Sequence, residues 1–109
     1  MSCSYNYVVV AARVEILFFW DIRKSRINLA KHGVSFETAQ FVFSDPLQLS
    51  RQDRDENGEI RWQTLGLVCE MLLLVAHTWV DENDGGEKIR IISARRATKL
   101  ERKEYEQGS

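Results

Sequence analysis

Basic side chains are the residues of this sequence whose types could most readily do chemistry. Eight residues with cationic, imidazole or phenolic groups stand out, namely Lys24, Lys31, His32, Arg61, Arg90, Arg95, Arg96 and Tyr105. Cationic groups suit a phosphodiester, and RNA carries its own nucleophile, the 2′-hydroxyl. Cleavage then needs a base for that hydroxyl, fixed cations for the phosphorane and an acid for the leaving oxygen. These residue types therefore predict chemistry on RNA that requires no metal.

Arginine suits the cationic role because its planar fork stays charged and makes paired hydrogen bonds to phosphate. We assign Arg61, Arg90 and one of Arg95 and Arg96 to the scissile phosphate, and Lys24 to a further contact with RNA. Arg61 and Arg90 each have a structural alternative. Arg61 opens a strand beside a turn, where an edge charge is normal. Arg90 alternates with apolar neighbours, so it faces either solvent or an open sheet face.

Three other residues are candidates for transferring a proton or for stacking on a nucleobase. Lys31 or His32 could transfer a proton, although both lie in the last turn of a predicted helix, where cations also match the helix dipole. Tyr105 could stack on a base or donate a proton. Its alternative is to serve as the apolar anchor of its helix.

Charge is distributed unevenly along the chain. The net charge of −1 and the pI near 6.1 give no global attraction to nucleic acid. Residues 88–109, however, hold seven Lys or Arg against three Glu. We therefore expect a local basic surface on the last strand and the helix that follows it.

Metal and cofactor sites are not indicated. His32, Cys69 and His77 share no close ligand spacing, and no glycine cluster joins a strand to a helix. Cys3 and Cys69 suggest neither a disulfide framework nor a CxxC site, which favours a reducing cytosol. The apolar segment at residues 8–20 contains Arg13 and Glu15 and is too short for a membrane span.

The sequence pattern predicts one α+β domain with an antiparallel sheet of about four to five strands, two N-terminal helices and one C-terminal helix. A chain of 109 residues suits one core. Residues 1–15 form a candidate N-terminal extension, and residues 16–109 the domain. Helices are predicted from Asp21 to about His32, from Ser35 to Pro46, and from the capping box at Thr98. The predicted strands are residues 16–20, 47–50, 61–68, 71–79 and 88–94.

Two runs of sequence carry a family resemblance. The first half contains Trp20-Asp21, Asn28, the run KHGVSF at residues 31–36, and Asp45-Pro46. The second half contains Arg61, Leu65-Gly66, the run RIISARRAT at residues 90–98, Glu101-Arg102 and Tyr105. In this order and at this separation, the motifs resemble the BrnT family over about residues 18–106.

The resemblance implies a toxin of a bacterial type II toxin-antitoxin pair, with a RelE-like fold and a ribonuclease activity that arrests translation in the cytoplasm. Its implied partner is a BrnA-like antitoxin with a ribbon-helix-helix domain, so that DNA is contacted only through the antitoxin. RNA is the implied substrate, with no membrane and no cofactor involved.

Two features depart from the family pattern. The residues before Trp20 exceed the usual family start, and Ile60 stands where an acidic residue is expected beside Arg61. Glu59 is one position before Ile60, so its side chain lies on the opposite face of the strand, which makes it a doubtful substitute for that acidic residue. The alternative hypotheses are therefore a non-catalytic binding module, or a degenerate toxin that only docks an antitoxin or DNA-bound complex.

Overall fold

The computed structural model describes residues 10–11, 14–81 and 85–108. Helices α1, α2 and α3 span Ile22–His32, Phe36–Ala39 and Lys99–Gln107, and a 3₁₀ turn at Gln40–Ser44 continues α2. Strands β1 to β7 span Val10–Ala11, Val14–Phe19, Leu49–Glu56, Glu59–Val68, Met71–His77, Val80–Asp81 and Glu87–Arg96. The predicted α+β class is confirmed. The candidate extension falls largely on residues outside the described ones, although β1 and the start of β2 lie within it.

The sheet is mixed, which corrects the prediction of a purely antiparallel sheet. Its strands lie in the order β1-β2-β7-β5-β4-β3, and β6 pairs with β7. β2 runs parallel to β7, whereas β3, β4, β5 and β7 pair antiparallel. Tight hairpins fix the direction of β3, β4 and β5. No hairpin joins β2 to β7, so the sequence near β2 carries no signal of its direction.

Strand β3 is longer than predicted. It extends through Glu56, over a polar stretch that lies beyond the short strand predicted at residues 47–50 and leads to the hairpin turn signal Asn57-Gly58. Asn57 and Gly58 both have positive φ angles, 54° and 79°, as a two-residue hairpin turn requires. The pairing has an irregularity between Gln52 and Asp55. An edge strand is often polar, because one side of its backbone meets solvent.

Local capping explains where the long helices begin and end. The Asp21 carboxylate accepts hydrogen bonds from the first turn of α1, and Gly33 closes the helix with φ of +73°. At α3, Thr98 and Glu101 form the predicted capping box. The helix predicted from Ser35 to Pro46 is an α-helix only in its first turn, which Ser35 caps. The rest of it is the 3₁₀ turn.

Two clusters of buried side chains lie on opposite faces of the sheet. The larger one joins α2 and the 3₁₀ turn to the sheet through residues such as Phe36, Val42, Val75 and Ile91. The smaller one lies under α3 and contains Leu65, Leu72 and Leu74, with Tyr105 packed against them. Strands alternate their side chains between faces, so β4 and β5 each contribute to both clusters.

Cys69 lies in the turn between β4 and β5 and is disulfide-bonded, contrary to the prediction. The other cysteine, Cys3, lies outside the described residues. None of the helices in the described part of the chain has both the length and the apolar composition needed to cross a membrane.

Candidate RNA-binding face

Arg61 and Arg90, which the sequence assigns to phosphate binding, lie on the same face of the sheet. The Arg90 Nη2 atom on β7 donates a hydrogen bond to the Glu59 Oε1 atom on β4, reaching past β5. Glu59 and Arg61 are two residues apart on one strand, so their side chains project from the same face. The contact therefore brings one carboxylate and two guanidinium groups of the described residues onto a common surface.

Strand β2 adds an aromatic side chain to this surface. In the parallel pairing of β2 with β7, Phe19 is the register partner of Arg90, and Leu17 is the partner of Lys88. The Lys88 Nζ atom lies 5.3 Å from the centroid of the Phe19 ring, within the range of a cation–π contact. We call this surface the cationic face, and it consists of Phe19, Glu59, Arg61, Lys88 and Arg90.

Solvent reaches both members of the Arg90–Glu59 pair. The Arg90 and Glu59 side chains are 38% and 42% exposed. An ion pair at this level of exposure contributes at most about 1 kcal/mol, because water and salt compete with it. A phosphate group can therefore displace the Glu59 carboxylate from Arg90 at low cost. The arrangement is suited to binding an anion rather than to holding the fold together.

Arg95 is engaged in a structural contact. Its guanidinium donates two hydrogen bonds to the Glu101 carboxylate, at 2.8 and 2.9 Å. These bonds raise the pKa of Arg95 and, against the effect of burial, lower the pKa of Glu101 to about 2. Glu101 also accepts from the Thr98 backbone in the capping box. The pair joins the end of β7 to the start of α3.

The other predicted cations lie away from the cationic face. Arg96 projects to the opposite face from Arg95, is exposed, and donates to the Met71 Sδ atom at 3.5 Å. Lys24, Lys31 and His32 are exposed on α1. This helix contacts α2 and β7, and α2 packs on the face with the larger buried cluster. The structure thus groups Arg61 with Arg90 and leaves these four residues elsewhere.

Tyr105 contacts the fold through both its ring and its hydroxyl. The ring packs on the cluster under α3, and the hydroxyl donates to the Asp45 Oδ2 atom. Burial and then the hydrogen bond to Asp45 raise the pKa of Tyr105 to about 12. Burial alone would raise the pKa of Asp45, but hydrogen bonds from Tyr105, Leu67 and Leu47 lower it overall. This geometry supports the anchor role that the sequence left as an alternative.

His77, considered in the sequence only as a metal ligand, is part of a buried hydrogen-bonded chain. Its Nδ1 atom lies 2.9 Å from the Thr78 carbonyl, which can only accept, so Nδ1 carries the proton. Its Nε2 atom therefore accepts from the Thr64 hydroxyl at 2.7 Å, and that hydroxyl accepts from Ser50. Burial lowers the pKa of His77 to about 4, so the ring is neutral at pH 7.

Phe19, Glu59 and Lys88 are members of the cationic face that sequence reasoning missed as site residues. Phe19 was read as one of five consecutive apolar residues in a strand, where the parallel register with Arg90 could not be foreseen. Glu59 was considered only as a doubtful substitute for the acidic residue expected at Ile60. Within the described residues, no group of three or more His, Cys, Asp or Glu is arranged to hold a metal ion.

Comparison with protein families gives a match over most of the chain. A family model described as "Ribonuclease toxin, BrnT, of type II toxin-antitoxin system" matches residues 20–101. The matched segment includes Glu59, Arg61, Lys88 and Arg90, and it ends inside α3. No curated protein matches the chain.

Proposed function

Because the chain belongs to the BrnT family of ribonuclease toxins from type II toxin-antitoxin systems, we propose that its cationic face cleaves RNA without a metal and thereby arrests translation. The observation that carries the proposal is the contact of Arg90 with Glu59 on the face that also presents Arg61. These three side chains provide two of the functions that metal-free cleavage requires: the arginines are fixed cations, and the Glu59 carboxylate is a base.

In the proposed reaction, Arg61 and Arg90 bind the non-bridging oxygens of the scissile phosphate. A guanidinium group can donate paired hydrogen bonds to phosphate oxygens. The phosphate takes the place of the Glu59 carboxylate on Arg90. As negative charge grows on the phosphorane, the two guanidinium groups bind it more strongly than they bind the substrate, and this lowers the barrier.

Glu59 is the base that this geometry favours. Once released from Arg90, its carboxylate accepts the proton of the 2′-hydroxyl, whose oxygen then attacks phosphorus. The bond from phosphorus to the 5′ oxygen breaks, and water protonates the leaving oxygen. The products are a 2′,3′-cyclic phosphate and a 5′-hydroxyl. Lys31 and His32, the sequence-based candidates for proton transfer, lie on α1 rather than on this face.

A type II toxin implies an antitoxin that holds it inactive. We infer that this partner is a ribbon-helix-helix protein that contacts DNA itself, so that the toxin reaches DNA only through it. Helix α3 is the element we assign to this contact, since Leu100 on its surface is 68% exposed. Both proteins would then act in the cytoplasm, where RNA is translated.

Purified protein incubated with a single-stranded RNA tests the reaction. We expect cleavage in the presence of a chelator, and at least a hundred-fold slower cleavage by the Arg61→Ala and Arg90→Ala variants. Glu59→Gln should bind RNA at least as tightly as the natural protein but cleave it slowly. Arg26→Ala is the matched control, because Arg26 is an exposed arginine on α1, and it should cleave normally.

Each part of the proposal has an outcome that contradicts it. Cleavage abolished by the chelator would exclude the metal-free reaction, and full activity of both arginine variants would exclude this face. If the natural protein neither cleaves RNA nor arrests growth but still binds its antitoxin, it is the degenerate toxin that Ile60 suggested.

A further inference from the structure

Phe19 is an aromatic side chain that the fold does not bury. Its neighbours Phe18 and Trp20 pack against the larger buried cluster, because alternate residues of β2 face the helices. Phe19 projects from the other face and is 41% exposed. Neither hydrophobic cluster of the described residues includes it. Its ring therefore remains accessible on the face where Arg61 and Arg90 lie.

The charges around Phe19 indicate what could cover the ring. Arg90 is its register partner on β7, and Lys88 lies on the same face with its Nζ atom 5.3 Å from the ring centroid. An apolar protein segment placed on the ring would press against two cations. A nucleotide matches both features, since it has a flat aromatic base and a negatively charged phosphate.

We propose that Phe19 is a platform on which one base of the RNA stacks while the adjacent phosphate binds Arg90. This inference rests on the proposed function and extends it to the form of RNA that is recognised. In a duplex both faces of a base are covered by its neighbours, so a free ring selects unpaired nucleotides. Stacking on an aromatic side chain tolerates any base, because every base has a π face. The substrate class is therefore single-stranded RNA with little demand for a particular base at this position.

Binding of an uncleavable RNA by the full chain tests the platform. The probe is a fluorescein-labelled single-stranded oligonucleotide with 2′-O-methyl groups, which remove the nucleophile, and the readout is fluorescence anisotropy. A second oligonucleotide has the same backbone but abasic positions. We expect Phe19→Ala to weaken binding of the first roughly five- to hundred-fold, and to leave binding of the second unchanged.

Conservative variants separate stacking from simple loss of volume. Phe19→Trp should bind the base-containing probe as well as the natural protein does, whereas Phe19→Leu should lose affinity as Phe19→Ala does. Leu17→Ala is the matched control, because Leu17 is an exposed apolar residue two positions earlier on the same face of β2. It should show no loss that depends on bases. Circular dichroism checks that each variant is folded.

Several results would overturn the platform. One is equal binding by Phe19→Ala and the natural protein while Arg90→Ala still loses affinity, which would leave the proposed function intact. Another is an equal loss on both probes, which would show that Phe19 acts through the cations. A variant that loses antitoxin binding but not RNA binding would assign the ring to the antitoxin. A natural protein that binds neither probe would contradict both the platform and the proposed function.

Discussion

Asn28 on α1 and Ala94 on β7 are joined by a pair of hydrogen bonds that imitates the pairing of two strands. The Asn28 Nδ2 atom donates to the Ala94 carbonyl at 2.7 Å, and the Ala94 N–H donates to Asn28 Oδ1 at 3.2 Å. β2 pairs with β7 only at residues 87–90. Beyond that point the side-chain amide of Asn28 takes the place of a neighbouring strand and forms hydrogen bonds with the backbone N–H and carbonyl groups of Ala94. These bonds hold α1 against β7, the strand that carries Arg90.

Substitution of Asn28 should destabilise the protein strongly. Asn28→Asp keeps the size of the side chain but replaces the donor with an anion facing two carbonyl oxygens, those of Ala94 and Val34. We expect a loss of about 3 kcal/mol or more in the free energy of unfolding, and a smaller loss for Asn28→Ala. Urea denaturation measures both. Asn57→Asp is the control, since Asn57 is exposed in a turn that also accommodates Asp; equal effects at the two positions would contradict the role of Asn28.

The parts of the fold that were predictable are those encoded locally. Asp21 and Gly33 bound α1, and Thr98 with Glu101 begins α3, because each cap uses residues within one helical turn. The Asn57-Gly58 turn is local in the same way. The direction of β2 relative to β7 depends on segments separated by most of the chain, and no short pattern specifies it.

The two arginines of the candidate site were singled out from the sequence, but their grouping with Phe19, Glu59 and Lys88 was not. Alternation along β7 indicated that Arg90 faces away from the core, and Arg61 was identified at the start of β4. The contact of Arg90 with Glu59 joins residues 31 positions apart, and the partner of Arg95 was likewise not foreseen. Which of two adjacent arginines is held by a carboxylate depends on how α3 packs, and this cannot be read from the strand alone.

Buried His77 should make the stability of the protein depend on pH. In the unfolded chain the ring takes up a proton below about pH 6.5, whereas in the folded protein it stays neutral until about pH 4. The free energy of unfolding should therefore fall as pH falls from 6.5 towards 4, by about 3 kcal/mol over the full window. Denaturation between pH 7 and 5 measures the slope before most carboxylates titrate.

Two variants test whether His77 causes that slope. His77→Gln removes the titrating ring, so its stability should be lower at pH 7 but nearly constant between pH 7 and 5. His32→Gln, a change at the exposed histidine, should keep the slope of the natural protein. If the free energy of unfolding of His77→Gln still falls between pH 7 and 5, groups other than His77 cause the pH dependence.

Gly66 is needed because the 3₁₀ turn lies directly on β4. A Cβ atom at residue 66 would lie 2.8 Å from both the Cβ and the carbonyl oxygen of Val42, which is fully buried. Gly66→Ala should therefore force the turn away from the sheet and lower the free energy of unfolding by about 1–3 kcal/mol. Thermal or urea unfolding measures the change. Ser93→Ala, at an exposed position on β7, is the control, and equal stability of the two variants would refute the close approach.

Tyr105→Phe separates the anchor role of the tyrosine from the catalytic role that the sequence suggested. The variant keeps the ring on the cluster under α3 and removes only the hydrogen bond to Asp45, which retains those from Leu67 and Leu47. We expect a loss of about 1 kcal/mol in the free energy of unfolding and little change in RNA cleavage. Tyr105→Ala should lose more stability, because it also removes the ring that packs, partly buried, on the cluster under α3. If Tyr105→Phe is as stable as the natural protein but cleaves RNA far more slowly, the hydroxyl takes part in the reaction after all.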